Sequence, residues 1–211
     1  MTEHLALTMF VRHYPLTFHV SLCPVPDLLL SNGLFSAAGL LELTASSEEQ
    51  CKILLESQRK TTLRVLTGFG PAIINDQLPL PAKALAGCLT GMLPREWCKE
   101  LNERFFFFLT QERALQFARV QMSKLPQKIL VTLSTERLIR GREDAFELCH
   151  FNSGNALRKA APRGRNSFIP IASYPLAERI TKFGRARAVA EMSIRVRHLP
   201  LVDSFISTSM L

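Results

Sequence analysis

Cysteine is scarce and poorly placed for cross-linking in this 211-residue chain: Cys23, Cys51, Cys88, Cys98 and Cys149 form an odd set with no C-x-x-C pair. That pattern excludes a disulfide framework and a zinc site of the usual spacing. It predicts reduced thiols, mostly in the core. No uninterrupted apolar run approaches the length that spans a bilayer. The first hydrophobic stretch has His4 but no Lys or Arg ahead of it and is broken by Arg12, His13 and Pro15, which is not the layout of a secretory signal. Internal repeats, low-complexity tracts and interdomain linkers are also missing. These absences predict one cytoplasmic domain over residues 1–211, without membrane contact.

What is present is the composition of a folded chain. Hydrophobic residues make up 47% and charged residues 21%, far from the balance that keeps a chain disordered, and the length suffices for a core that needs no staples. A net charge of +8 and a pI near 9.6 favour an anionic partner, because summed positive potential concentrates phosphates near the surface. The same charge also occurs on proteins that bind no nucleic acid.

Periodicity predicts an α+β chain. Leu16 to Leu22 alternates as a half-buried strand and places His19 and Ser21 on one face. A short helix through Leu30 is stopped by Gly33, since glycine readily takes the left-handed conformation at a helix end. Helices are expected over Phe35–Leu43 and Ser47–Ser57, then a strand over Leu63–Leu66 and a turn at Gly68, Gly70 and Pro71 before Ile73 and Ile74. Ala82–Leu89 and Arg95–Glu103 read as helices behind prolines. The apolar run Arg104–Leu109 reads as a buried central strand. Helix Gln111–Met122, strand Lys128–Leu133, helix Thr135–Arg140 and strand Ala145–Phe151 follow. The segment 152–170 has no sustained period and is expected to be a mobile or ligand-ordered basic loop, followed by helix Leu176–Phe183 and an alternating strand Arg187–Arg197 with Glu191 on its polar face.

Three polar features stand out on this apolar scaffold: His19 with Ser21, Arg59 in a polar connection, and Glu191. Each has an ordinary reading. His19 is then a half-exposed strand residue, Arg59 a solvated cation, and Glu191 a solvated carboxylate balanced by Arg187, Arg195 or Arg197. Phe105 to Phe108 and Trp97 read as core. Arg158, Lys159, Arg163 and Arg165 in the basic loop are the candidates for contact with phosphates of NAD or of a polynucleotide.

Several loose motifs recur in a characteristic order. Phe18-His-Val-Ser21 precedes Leu28–Leu30 and Ser31-Asn-Gly-Leu-Phe-Ser36. Gln58-Arg59-Lys60, Ile74-Asn-Asp-Gln77 and the aromatic strand from Arg104 follow, with Asp76-Gln-Leu-Pro79, Pro94-Arg-Glu-Trp97, Phe107-Phe-Leu-Thr-Gln-Glu-Arg113 and Asn152-Ser-Gly154 alongside. From about His13 to Phe205 this order resembles the DarT-like ADP-ribosyltransferase superfamily, in particular an uncharacterised bacterial branch of it. Ser21 stands where that family has Thr, and Asn75 where the branch tends to carry a basic residue.

The resemblance implies a split central β-sheet flanked by helices and a bound NAD as substrate, with no metal. It implies transfer of ADP-ribose to DNA or RNA in a toxin or defence effector, with an antitoxin or immunity protein as partner. Glu191 and Arg59 are then the catalytic candidates, and His19, Ser21, Gly33, Phe107 and Asn152 the cofactor-binding ones; an offset from Arg59 to Arg64 is open. The chemistry agrees with these residue types. Breaking the nicotinamide–ribose bond builds oxocarbenium character that a carboxylate stabilises, and a guanidinium grips phosphate through a rigid fork of donors. Other readings are transfer to protein or water, and a catalytically silent NAD-binding or interaction module.

Overall fold

The computed structural model describes residues 3–22, 26–121, 128–157 and 160–211. The chain begins with α1 (Glu3–His13), β1 (Leu16–Ser21), α2 (Pro26–Asn32), β2 (Leu34–Phe35), α3 (Ala37–Glu42) and α4 (Glu48–Glu56). The hairpin β3 (Leu63–Thr67) and β4 (Gly70–Ile74) leads to α5 (Ala82–Ala86), β5 (Leu89–Thr90), α6 (Pro94–Asn102), β6 (Arg104–Phe107) and α7 (Gln111–Gln121). Then come β7 (Ile129–Ser134), α8 (Thr135–Ile139), β8 (Phe146–Cys149), β9 (Arg163–Gly164) and β10 (Ile169–Pro170). The last elements are α9 (Leu176–Phe183), α10 (Arg185–Ala188), β11 (Glu191–Arg195), β12 (His198–Leu199) and β13 (Phe205–Met210). The architecture is mixed α+β, as the periodicity predicts. No helix among the described residues is long and apolar enough to cross a membrane.

Two antiparallel sheets carry the fold. One has the order β1-β7-β13 and the other β10-β8-β11-β6. They meet at an isolated bridge where Phe18 of β1 and Phe108, just past β6, exchange both backbone hydrogen bonds at 2.8 Å. The continuous apolar run from Arg104 therefore does lie centrally, with β11 on one side and β1 bridged to it on the other. Phe107, Phe146, Met192, Ile194 and Leu148 form much of the core between these strands and the helices.

Of the boundaries that differ from the sequence expectation, three bear most on the fold. Residues 3–13, which carry no assignment in the sequence reading, form α1, and Ala6 and Phe10 bury its inner face. Phe35 belongs to the two-residue strand β2, paired with β12, so the following helix starts only after Ser36, whose Oγ accepts from Gly39 N at 3.1 Å as an N-cap. Arg187 lies in α10 rather than in a strand, and β11 has Glu191, Met192, Ser193 and Ile194 all buried because it runs between β8 and β6 with both faces covered. The same holds for β1, where Thr17, Phe18, Val20 and Ser21 are all buried and alternation no longer separates an inside from an outside.

Two of the three arginines that the ordinary reading assigns to Glu191 are engaged elsewhere. Arg195 pairs with Glu100 at 3.1 Å and with Glu103, and Arg197 with Glu42 at 2.8 Å and Glu103 at 3.4 Å. Arg104 pairs with Glu100 and, at 3.0 Å, with Glu147. This network ties α3, α6, β6, β8 and β11 together and leaves the carboxylate of Glu191 to a different environment.

Candidate active site

A cavity of about 1050 Å³ opens beside the Phe18–Phe108 bridge, at the upper end of the size range of small-molecule sites. Its walls come from β1, the Gly33–Ala37 segment, the β3–β4 hairpin, residues 75–80, α7, and the 150–155 turn with Glu191. His19, Ser21, Gly33, Arg59, Asn152 and Glu191 all line it. Residues separated by most of the chain thus share one chamber.

Glu191 is 7% exposed, at the start of β11 and opposite Cys149 of β8. Its carboxylate accepts from the backbone N–H of Ser153 at 3.1 Å and from Ser153 Oγ at 2.6 Å. Burial raises its pKa; the two Ser153 hydrogen bonds and the positive charges of Arg163 and Arg113 partly offset this. Burial, followed by the Glu191 charge, pushes the neighbouring Cys149 thiol up to about 12, so that sulfur stays protonated and unreactive.

The turn that presents Ser153 is itself braced. Arg163, 3% exposed, donates Nη1 to Ser153 O at 3.0 Å, Nη2 to Asn155 O at 3.0 Å and Nε to Ala161 O at 3.1 Å, and lies over the rings of Phe151 and Trp97. The expectation that Arg163 contacts nucleic acid is therefore corrected: its guanidinium is consumed inside the protein. Trp97 is fully buried, as expected of a core anchor, and donates Nε1 to Ser153 O at 3.3 Å. The described part of the 152–170 segment is docked, not free, with Ala156 N donating to Pro79 O at 2.7 Å and Arg163 N to Cys88 O at 2.9 Å. Arg165 is exposed, pairs with Glu96 at 3.3 Å, and is not on the cavity wall. Arg158 and Lys159 lie outside the described residues.

His19 is half-buried. Its Nδ1 is 3.0 Å from Phe106 O, a partner that only accepts, so Nδ1 carries the hydrogen and Nε2 is left with its lone pair. Burial lowers its pKa, which keeps the ring neutral, while the Phe106 bond opposes the shift. Phe107 is fully buried and absent from the cavity wall, which corrects its assignment as a cofactor contact. Its ring packs 5.8 Å from the His19 ring and supports the imidazole from behind. Gly33 ends α2 with a positive φ of 70°, and a Cβ there would sit 2.5 Å from Leu199 O, so its role is a close turn at the wall. Ser21 is buried on the His19 face, and Asn152 is exposed at the rim.

Arg59 is 8% exposed and not the solvated cation of the ordinary reading. Its Nε donates to Asn75 O at 2.9 Å, and Nη1 donates to Leu54 O at 3.2 Å and Asn102 Oδ1 at 2.8 Å. Burial lowers its pKa to about 10, with the nearby Cys98 and Asp76 opposing the shift. Its guanidinium props the cavity floor. The guanidinium groups of Arg64 on β3 and Arg113 on α7 also belong to cavity-lining residues and are less buried. Sequence reasoning missed Arg113 and Ser153 as functional candidates, although Arg113 ends the Phe107-Phe-Leu-Thr-Gln-Glu-Arg113 motif and Ser153 is the centre of Asn152-Ser-Gly154. Among the described residues no group of three or more His, Cys, Asp or Glu is placed to hold a metal ion, and Cys51, Cys88, Cys98 and Cys149 are all free.

The cavity walls run from β1 to β11, within the span 17–206 that matches the model of a family of unknown function, DUF7002. The chain belongs to the DUF7002 family. The DUF7002 match takes in every cavity-lining residue named above. No curated protein and no solved structure matches the chain.

Proposed function

We propose that this DUF7002 protein is an NAD-dependent ADP-ribosyltransferase that passes ADP-ribose to a nucleic-acid acceptor, as a toxin or defence effector. The observation that carries the reading is the convergence of a buried, hydrogen-bonded carboxylate and a neutral imidazole on one cavity: Glu191 and His19. Two sheets joined at a single bridge fit the split central sheet of the ADP-ribosyltransferases, and the cavity volume accommodates a ligand larger than a mononucleotide. The DarT-like order of motifs supports the same class.

In this reading the bond from the ribose C1′ to the nicotinamide nitrogen breaks with its electron pair leaving on nicotinamide. Glu191 stabilises the positive charge that develops on the ribose. A nucleophilic atom of the acceptor then bonds to C1′, and its proton passes to the Glu191 carboxylate, whose raised pKa makes it a competent base. His19 Nε2 accepts a hydrogen bond from a ribose hydroxyl, and the Arg113 and Arg64 guanidiniums supply positive charge for the pyrophosphate. Ser153 and, through it, Arg163 hold the carboxylate in place.

The test is incubation with radiolabelled NAD and separate pools of single-stranded DNA, RNA and protein. Label is expected in a nucleic-acid pool, and Glu191→Gln is expected to remove it while the circular dichroism spectrum stays unchanged. Label in protein alone would move the acceptor, NAD loss without a labelled pool would indicate hydrolysis, and no NAD loss at all would leave a silent binding module.

A further inference from the structure

The edge strands of the two main sheets are β1 and β13 in one and β6 and β10 in the other. An open edge offers unpaired N–H and C=O groups to any extended chain, and proteins blunt such edges with short strands, charge or proline. β1 and β6 are joined to each other at the Phe18–Phe108 bridge. β10 has two residues and ends in Pro170, which has no N–H to give. β13 has none of these protections. It runs for six residues, and from Ser204 to Leu211 the chain carries neither a charged residue nor a proline. Two of its large apolar side chains stand in water, Ile206 at 48% and Met210 at 55% exposure.

The pairing with β7 fixes which backbone groups of β13 are free. Leu211 N donates to Lys128 O at 3.0 Å, and Ser134 N donates to Ser204 O at 2.8 Å. Hydrogen-bonded pairs alternate along an antiparallel ladder. In the register Thr208↔Val131 and Met210↔Ile129, residues Ser207, Ser209 and Leu211 therefore bond to β7, while the N–H and C=O of Thr208 and Met210 point away from it. The other side of β7 has the complementary phase: Thr135 N donates to Pro15 O at 3.0 Å, so Ile129, Val131 and Leu133 bond to β1. The register shift between Phe205 and Ser207 lies at the start of the strand and leaves 207–210 regular.

We propose that β13 is a dimerisation edge, pairing antiparallel with β13 of a second copy of this chain about a two-fold axis at Thr208 and joining the two β1-β7-β13 sheets into one. A second copy suits this edge because the register closes on itself. Thr208 faces the partner's Thr208 in a hydrogen-bonded pair, with Cα atoms about 5.5 Å apart. Met210 faces the partner's Ile206, so both exposed apolar side chains are covered, each by the other's counterpart. Every contact then occurs twice, as a two-fold interface requires. Charge sets the same preference: two chains of net charge +8 repel, and β13 brings them together through a segment with no charge on either side.

Light scattering on the full chain over a dilution series tests the pairing without NAD. The parent is expected to rise from 23.7 kDa towards twice that mass with concentration. Thr208→Lys sets two ammonium groups against each other on the axis and should remain at the single-chain mass throughout, as should Thr208→Glu; an equimolar mixture of the two should recover the double mass, because opposite charges then meet. Amide hydrogen exchange on the parent needs no substitution. Ser207 and Ser209 N–H should be protected at every concentration, and Thr208 and Met210 N–H only in concentrated samples. A parent that keeps the single-chain mass at all concentrations would overturn the proposal, and protected Thr208 and Met210 amides in that monomer would show another segment on the edge. A dimer that forms equally well with Thr208→Lys, its Thr208 and Met210 amides exchanging freely in the parent, would place the interface elsewhere and overturn it too.

Discussion

Ser153→Ala isolates the hydrogen bond on which the chemistry of Glu191 depends. The hydroxyl donates to the carboxylate at 2.6 Å in a buried site, while the backbone N–H of the same residue donates at 3.1 Å and survives the substitution. A hydrogen bond to a charged group contributes about 1.5–3 kcal/mol, and that contribution favours the ionised carboxylate far more than the protonated one. Losing it makes Glu191 a weaker acid still, so at a pH where the parent carboxylate is ionised the variant is largely protonated. Transfer should fall about 10- to 150-fold there, the rate equivalent of that free energy. At higher pH the carboxylate ionises again and the rate recovers. The assay is labelled NAD consumption against pH for the parent, Ser153→Ala and Ser153→Thr, with the threonine hydroxyl restoring the parent profile. Thermal melting should change little, because a carboxyl that cannot keep its charge takes up a proton. A rate reduced by one constant factor at every pH, or an unaltered profile, would refute the assignment of Ser153 as the residue that holds Glu191 ionised.

Glu191→Gln should melt higher than the parent at mildly alkaline pH. The folded-state pKa of Glu191 is raised by burial, so the parent's stability is fully present below the ordinary carboxylate range and is lost as pH rises through the raised value; the gap between the two melting curves should therefore close in acid, and a gap independent of pH would contradict this. His19→Ala removes one acceptor from the cavity wall and should raise the KM for NAD about 2- to 10-fold at unchanged solubility, whereas insoluble protein with an unchanged KM would make His19 structural. Gly39→Ala, which in an ordinary helix would stabilise, should instead lower stability by about 1–3 kcal/mol in a denaturant melt, because the new Cβ would sit 2.1 Å from Arg197 O.

Much of the secondary structure was legible in local chemistry. Ser47 caps α4 with a reciprocal Gln50 bond, Pro94 opens α6, and Gly33 closes α2 with a positive φ; each depends on neighbours within a few residues. The site was legible in part. His19, Ser21, Asn152 and Glu191 line the chamber expected of them, while Phe107 and Arg163 are buried in supporting roles. Alternation failed on β1 and β11 because it assumes one wet face, and both strands are covered on two sides.

Composition, caps and periodicity determined that the chain folds as α+β, where most elements start and stop, and which polar residues stand on apolar strands. Only the tertiary structure decided that Glu191 is paired with Ser153 and not with Arg195 or Arg197, and that Arg59 is buried against Asn75 O, Leu54 O and Asn102 Oδ1. The reason is range: capping and periodicity act between residues close in the chain, whereas a buried charge takes its partner from whatever distant segment packing brings within hydrogen-bond reach.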